Sequence, residues 1–211
     1  MTAICVIDPD PSLSMTKPFI LASNSPRRRE LLSQIGLVFR VDPSDVDESL
    51  LPDEMPEAYA IRVAMDKARI VAARSRTGIV IAADTIVVQD RVIMGKPRDA
   101  GDAEQMLGVL SGKEHQVITG LVIQDITTGK TRAKSAVTKV WFRVLTSDEI
   151  AAYIASGEPL DKAGAYGIQG YGALLVDRIQ GCYFNVVGLP LSLLGEMLKE
   201  FGVSLLADIR L

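Results

Sequence analysis

Short apolar runs alternate with amphipathic segments along the chain, which is the pattern of an α/β fold. An apolar run at 19–22 leads into a helix that we predict to begin at Pro26, with Ser25 as its N-cap and Gly36 at its end. A second strand is predicted at 37–41. The first hundred residues therefore begin with a strand, a helix and a strand.

The longest apolar run, at 79–88, combines β-branched residues with apolar side chains at both odd and even positions. Such a strand is covered on both faces, so we predict that it lies inside the sheet. The helix before it begins near Pro56, because small apolar residues recur there at helical spacing, and Lys67 lies beside that apolar face. After that strand we predict a short strand at 92–94, a helix at 103–112 and a long hairpin formed by 117–126 and 133–145. A helix at 146–156, a strand at 174–179 and a last helix after Pro190 complete the prediction.

The composition supports a folded core and excludes some classes of protein. Of the 211 residues, 48% are hydrophobic, and the net charge is −3. Proteins that bind duplex nucleic acid carry a strong positive patch, so no stable nucleic-acid complex is expected. A spanning helix needs about 20 predominantly apolar residues, whereas the most apolar stretch of this chain, at 79–88, is short and contains Asp84. We therefore expect no membrane contact. We predict a loose leader at 1–17, in which Met15 is an alternative start to Met1, and a single domain at 18–211.

Cysteine and histidine are scarce, which narrows the chemistry. The two cysteines, Cys5 and Cys182, lie far apart in the sequence, and His115 is the only histidine. This content excludes a disulfide framework and a zinc site built from several histidines, and it fits a reducing cytoplasm. Any general base is therefore expected to be a carboxylate. His115 itself is interpreted as a structural residue.

A candidate anion site lies at the junction of the first strand and the first helix. Ser23, Ser25, Arg27 and Arg28 come together there, where free backbone N–H groups and the helix dipole favour anions. Arginine makes planar, bidentate contacts with phosphate, so the set suits a polyphosphate. The alternative is an ordinary serine cap followed by a solvated basic face.

Candidate carboxylates occur at two places. Asp84 lies within the apolar run at 79–88, where an ionised group is costly unless it is paired or bound to a metal. Asp47 and Glu48 can supply a further carboxylate for a hard divalent cation such as Mg²⁺. The alternatives are an ion pair or a strand-end position for Asp84, and an acidic surface loop for Asp47 and Glu48.

Long cations and a glycine-rich segment complete the set of candidate residues. Lys67 and Lys96 flank the carboxylates in the chain, and Gln169 lies within the glycine-rich segment 157–172. Glycines allow a backbone to approach a ligand closely, and a glutamine amide both donates and accepts hydrogen bonds, as the edge of a nucleobase requires. The alternative for each lysine is an ordinary surface position.

These residues fall into sequence blocks that follow one another in a fixed order. The blocks are LASNSPRRRELL at 21–32, VDE at 46–48, AADTIV at 82–87 with GKP at 95–97, LSG at 110–112 with His115, Val117, Thr119 and Gly120, and GEP at 157–159 through Gly170 with NVVGLPL at 185–191. Together they resemble the Maf family of nucleoside triphosphate pyrophosphatases, once called septum formation inhibitors. The resemblance covers nearly all of 19–201.

The resemblance implies a fold and a reaction. The fold is an α/β arrangement similar to that of the inosine triphosphatases, with an elongated mixed sheet, helices around it and a cleft between two lobes. The reaction is hydrolysis between the α and β phosphates of a nucleoside triphosphate, with Mg²⁺ or Mn²⁺ as the divalent cation. Asp84 matches the family's proton acceptor, and Glu48, Lys67 and Lys96 match its other polar cleft positions, with Glu48 and Asp84 as the expected metal ligands.

The resemblance also implies a substrate. Arg27, Thr85 and Gln169 match the branch of the family that acts on dTTP and UTP. Two alternatives stay open: a pyrophosphatase acting on a methylated guanosine triphosphate, and a nucleotide-binding regulator of cell division without catalysis. A homodimer is expected because relatives are often dimeric.

Overall fold

A seven-stranded mixed sheet runs through residues 17–207, the part of the chain that the computed structural model describes. Its order is β2-β1-β3-β5-β6-β7, and β4 pairs with β3. The strands are β1 (Phe19–Leu21), β2 (Phe39–Val41), β3 (Ile79–Gln89), β4 (Val92–Met94), β5 (Glu114–Asp125), β6 (Thr131–Phe142) and β7 (Val176–Gln180). Strand β1 pairs in parallel with β2 and β3, and the other pairs are antiparallel. The α/β prediction and the interior position of β3 are confirmed.

Helices cover both faces of this sheet. They are α1 (Pro26–Gln34), α2 (Pro56–Arg74), α3 (Ala100–Leu110), α4 (Ser147–Ala155), α5 (Tyr183–Val187) and α6 (Leu191–Lys199). Short 3₁₀ turns lie at Glu158–Asp161, Ala163–Ala165 and Gly170–Leu175. No helix within residues 17–207 has the length and apolarity needed to cross a bilayer.

Local signals in the sequence account for the helix ends. The Ser25 side chain accepts a hydrogen bond from the backbone N–H of Arg28 at the start of α1. At the start of α4, the Thr146 side chain and the Glu149 side chain each bond to the other's backbone N–H, which completes a capping box. Gly36 follows α1 with φ of +72°, a conformation that glycine adopts without strain.

The core is divided between the two faces. On one face, the small residues of α2 lie against alternate residues of β3, and Ala64, Val80 and Ala82 are fully buried there. On the other face there are two apolar clusters, one built around α1 and α6 and one around α3 and α4. These two clusters form the two expected lobes, and the cleft opens between them.

Helix α2 approaches the sheet closely at Gly120 of β5. A Cβ atom placed on Gly120 would lie 2.3 Å from the backbone carbonyl of Ala60. Gly120 is also the residue of β5 that pairs with Asp84 of β3. The absence of a side chain at Gly120 therefore sets the distance between α2 and the strand that carries Asp84.

Two local features differ from the sequence-based expectations, and the predicted leader is not tested. Strand β5 begins at Glu114, so His115 lies within it and not before it. Helix α5 was not predicted, because five residues are too few for a helical repeat of apolar positions to be recognised. The leader predicted at 1–17 lies outside the described residues except for Lys17, whose ammonium group is 2.5 Å from the Asp125 carboxylate.

His115 is buried between aromatic side chains. Its Nε2 atom is 2.7 Å from the Tyr166 hydroxyl, its ring packs edge-on against Phe142, and Nδ1 has no hydrogen-bond partner among the described residues. Burial lowers the pKa of His115 to about 4, and the nearby Glu114 carboxylate opposes that shift only in part. The imidazole is therefore neutral in the folded protein at pH 7.

We expect His115 to make folding less favourable as the pH falls from about 6.5 to 4. In this range the unfolded chain takes up a proton that the folded chain does not, so stability is lost on acidification, by about 3 kcal/mol at pH 4. Urea unfolding at several pH values measures the loss, and His115→Gln removes this component. Because the chain has a single histidine, NMR titration tests the cause directly. An imidazole that titrates near pH 6.5 in the folded protein contradicts the prediction.

Candidate active site

A cleft of about 480 Å³ lies between the two lobes, above the middle of β3. It brings together all of the candidate site residues predicted from the sequence except Asp47: Ser23, Ser25, Arg27, Arg28, Glu48, Lys67, Asp84, Thr85, Lys96 and Gln169. The Asp47 carboxylate instead accepts a hydrogen bond from the backbone N–H of Ser49, as in an ordinary acidic loop. Residues from distant parts of the sequence thus form one polar cavity.

The two arginines at the start of α1 differ in their surroundings. Arg28 is buried, and its guanidinium group donates to the Gly188 carbonyl at 2.8 Å, the Ser23 hydroxyl at 3.1 Å and the Thr85 hydroxyl at 3.0 Å. Burial lowers the pKa of Arg28, and the Asp84 carboxylate opposes that shift. Arg27 is partly exposed, and its Nη1 atom is 3.8 Å from the Asp161 carboxylate. Arg28 therefore braces the wall of the cleft, whereas Arg27 has donors available to a ligand.

Lys67 lies between the two candidate carboxylates. Its ammonium nitrogen is 2.7 Å from Oδ1 of Asp84 and 2.8 Å from Oε1 of Glu48. Helix α2 supplies the lysine and β3 supplies Asp84, while the loop before α2 brings Glu48 to them. The ion pair explains how Asp84 is tolerated in an apolar strand.

The charges around Glu48 keep it ionised. Burial raises its pKa, but the hydrogen bond and charge of Lys67, with the charges of Lys96 and Arg28, outweigh burial and leave the pKa below its ordinary value. The hydroxyl of Tyr59 donates to the Glu48 carbonyl at 2.7 Å. The pKa of Tyr59 is raised to about 12, mainly by burial and also by Asp84 and Glu48. Tyr59 was not predicted from the sequence, although it lies two helical turns before Lys67 on the same helix.

The carboxylates fit a divalent cation that also binds phosphate oxygens. Lys67 uses one oxygen of each carboxylate, so Asp84 and Glu48 each keep a second oxygen. Within residues 17–207 no group of three or more His, Cys, Asp or Glu side chains is arranged to hold a metal ion. Mg²⁺ in nucleotide sites is commonly held by one or two carboxylates together with substrate phosphates and water. Glu48 and Asp84 fit that mode of binding.

Asp84 and Thr85 point to opposite faces of β3, as neighbours in a strand do. The Asp84 carboxylate faces α2 and Lys67, whereas the Thr85 hydroxyl lies 2.9 Å from the Thr119 hydroxyl and 3.3 Å from the Gly188 carbonyl. With the bond from Arg28, these contacts occupy the hydroxyl of Thr85 within the protein. Thr85 therefore forms part of the wall that Arg28 braces.

Gln169 and Lys96 are exposed and line the same cleft. Gln169 follows Ile168, which packs in the apolar cluster around α1 and α6. Asp161 and Lys162 also line the cleft, with Lys162 Nζ 2.7 Å from Oδ1 of Asp161. Asp161 was not predicted as part of the site. The cleft thus combines several cationic side chains with an exposed amide.

The fold and the site define an α/β protein whose interlobe cleft places a candidate anion site, at the start of α1, next to a carboxylate paired with a lysine. The family described as Maf-like protein matches residues 18–201, and the chain belongs to that family. The resemblance found in the sequence is thereby confirmed.

Named relatives share about half of their residues with this chain. A dTTP/UTP pyrophosphatase of Syntrophomonas wolfei is 50% identical over 188 residues, which are 89% of this chain and 100% of the relative. A protein of the same name from Acetivibrio thermocellus is 51% identical over 197 residues, covering 90% of this chain and 98% of the relative. The solved structure of the Staphylococcus aureus Ham1 protein matches 60% of this chain and 72% of its own, with a TM-score of 0.42 and 14% identity.

Proposed function

We propose that the protein hydrolyses dTTP and UTP to the monophosphate and pyrophosphate. One observation carries the proposal: a single cleft holds a carboxylate paired with a lysine, a partly exposed arginine at a helix N-terminus, and an exposed glutamine. The carboxylate can accept a proton from a hydrolytic water, the arginine can bind phosphate, and the glutamine amide can pair with the edge of a pyrimidine. Full-length relatives about 50% identical to this chain bear the name dTTP/UTP pyrophosphatase, which supports the same substrate.

The residues of the cleft have different roles in the proposed hydrolysis. Asp84 accepts a proton from the water whose oxygen bonds to the α phosphorus, and the bond from that phosphorus to the bridging oxygen breaks as pyrophosphate leaves. Arg27 and the N–H groups at the start of α1 bind the phosphates, and Lys96 offsets their negative charge. A divalent cation bound at Glu48 and Asp84 would supply further charge neutralisation at the phosphates. Lys67 holds both carboxylates in place through its two ion pairs.

A panel of nucleoside triphosphates with Mg²⁺ or Mn²⁺ tests the proposal. We expect pyrophosphate, and not single phosphate, to be released fastest from UTP and dTTP. Fastest release from a methylated guanosine triphosphate would move the protein to the purine-specific alternative. No release from any triphosphate, with retained nucleotide binding, would favour the non-catalytic regulator. Omitting the metal measures the dependence on the cation.

We further propose that this activity operates in the cytoplasm, where the nucleoside triphosphate pool is made and consumed. A homodimer stays a prediction, which light scattering of the purified chain measures.

We expect Gln169→Ala to lower kcat/KM for UTP and dTTP by about 10-fold or more, and to affect other triphosphates less. The amide of Gln169 can pair with the O4 and N3–H groups of uracil or thymine, and alanine cannot. Gln105→Ala, an exposed glutamine on α3 outside the cleft, is the matched control. An equal loss on every triphosphate would make Gln169 a structural residue.

A further inference from the structure

The segment that carries Gln169 is held at both of its ends. On one side the backbone N–H of Gly167 donates to the Tyr153 hydroxyl at 3.3 Å. On the other side the backbone N–H groups of Tyr171 and Gly172 donate to the Glu158 carboxylate, at 3.0 Å and 3.1 Å. Only residues 168–170 lie between these two attachments.

The two attachments are joined to each other. The Tyr153 hydroxyl donates to Oε1 of Glu158 at 3.0 Å, so tyrosine, carboxylate and three backbone N–H groups form one hydrogen-bonded unit. Tyr153 is buried in the lobe around α3 and α4, where its ring packs in the apolar cluster. The unit, which we call the Tyr153–Glu158 clasp, therefore connects the Gln169 segment to a rigid core.

Two glycines let the segment pack directly on the clasp. A Cβ on Gly170, whose φ is +63°, would lie 2.6 Å from Oε2 of Glu158. A Cβ on Gly172 would lie 2.1 Å from the Gly167 carbonyl oxygen and 2.7 Å from the Tyr153 hydroxyl. The backbone on either side of Gln169 thus lies in direct contact with the clasp.

A glutamine amide reads a base only when it is held in position. Uracil presents an acceptor at O4 and a donor at N3, whereas cytosine presents a donor at N4 and an acceptor at N3. Selectivity between these two patterns therefore requires the amide donor and acceptor to lie opposite O4 and N3, and a shift of the backbone that carries the glutamine moves both groups away from those positions. Shifts of about 1 Å in a supporting shell are enough to weaken such discrimination.

We propose that Tyr153 and Glu158 are positioning residues for base selectivity, because they fix the backbone from which Gln169 reaches the cleft. The proposal rests on the proposed function, in which Gln169 reads the pyrimidine. Neither residue lines the cleft, so both act through Gln169 and not through contact with the nucleotide.

The test compares nucleotide binding in Glu158→Gln and Tyr153→Phe with the unmodified chain. Glutamine at 158 keeps the shape but replaces one acceptor oxygen by an NH₂ group, which faces donors, and phenylalanine at 153 removes only the hydroxyl. Titration with UMP and CMP measures selectivity without turnover. We expect the preference for UMP to fall about 5-fold or more in each variant, with the thermal midpoint measured alongside. Glu104→Gln, an exposed glutamate on α3, is the matched control and leaves the preference unchanged.

Introducing Glu158→Gln into a Gln169→Ala chain distinguishes a positioning effect on Gln169 from a general disturbance of the fold. In a Gln169→Ala chain, Glu158→Gln should cause little further loss of selectivity, because the residue through which it acts is already gone. Retention of the full UMP preference in both single variants overturns the proposal, as does an equal weakening of UMP and CMP. Absence of pyrophosphate release by the unmodified chain refutes the proposed activity instead, while the UMP and CMP titrations still decide the role of the clasp.

Discussion

Asp84→Asn leaves a folded protein that loses most of its turnover, by about 10²-fold or more. Asparagine has nearly the same shape as aspartate but cannot take the proton of the attacking water. Nucleotide binding persists, because Arg27 and the N-terminus of α1 do not use the Asp84 carboxylate. Pyrophosphate release and nucleotide affinity, measured on one preparation, distinguish the two effects.

We expect Asp84→Asn to be less stable than the unmodified chain. An isolated buried carboxylate would destabilise the fold, and removing its charge would raise the melting temperature. Asp84 is paired with Lys67 at 2.7 Å, so the change instead leaves the Lys67 ammonium group with Glu48 as its remaining charged partner. We therefore expect a loss of about 1 kcal/mol and no gain.

Asp125→Asn is the matched control for Asp84→Asn. Asp125 is also buried and also pairs with a lysine, Lys17, but it lies outside the cleft. Its replacement should leave turnover unchanged. Near-normal turnover in Asp84→Asn would refute the role of proton acceptor, and a failure to fold would make the residue structural.

Gly120→Ala is expected to cause the largest loss of stability, about 3 kcal/mol or more. The new methyl group would overlap the Ala60 backbone at 2.3 Å, and a helix backbone cannot move aside as the end of a flexible side chain can. Helix α2 would be pushed away from β5, and Lys67, two turns further along α2, would move with it. Turnover should therefore fall together with stability.

Gly108→Ala provides the opposite expectation in the same protein. Gly108 lies in α3, and apart from its own helix backbone and chain neighbours no atom of residues 17–207 lies within 4 Å of the position of a Cβ. Alanine there should stabilise the protein by about 0.5 to 1 kcal/mol, because it favours the helix and restricts the unfolded chain. Urea unfolding of both variants measures the difference. A Gly120→Ala protein as stable as the unmodified chain would contradict the close packing of α2 on β5.

Patterns that depend on neighbouring residues allowed much of the fold to be predicted. The cap at Ser25 and the apolar run of β3 each depend on a few adjacent residues, and each is confirmed. Helix α5 was missed because it is short and is set by tertiary contacts. Its Asn185 side chain donates to the Val117 carbonyl and the Thr138 hydroxyl, which lie far away in the sequence.

The membership of the site was easier to predict than its internal arrangement. Residue type and motif identified Asp84, Lys67 and Glu48, but no pattern showed that one ammonium group joins both carboxylates. The sequence did not distinguish the two adjacent arginines as phosphate ligands. In the structure Arg28 is buried, and its donors bond to Gly188, Ser23 and Thr85. These contacts depend on which residues of distant elements lie close together in the fold. The pattern of residues in one sequence does not give such distances.

The alternation of side chains along β3 has a consequence for how substitutions alter the cleft. Asp84 and Thr85 are adjacent in sequence, yet the first belongs to the Lys67 cluster and the second to the Arg28 wall on the opposite face. A change at position 85 can therefore reshape one wall of the cleft while Asp84 keeps its partner Lys67. The shape of that wall and the ion pair proposed to serve hydrolysis can thus vary independently, although neighbouring residues carry them.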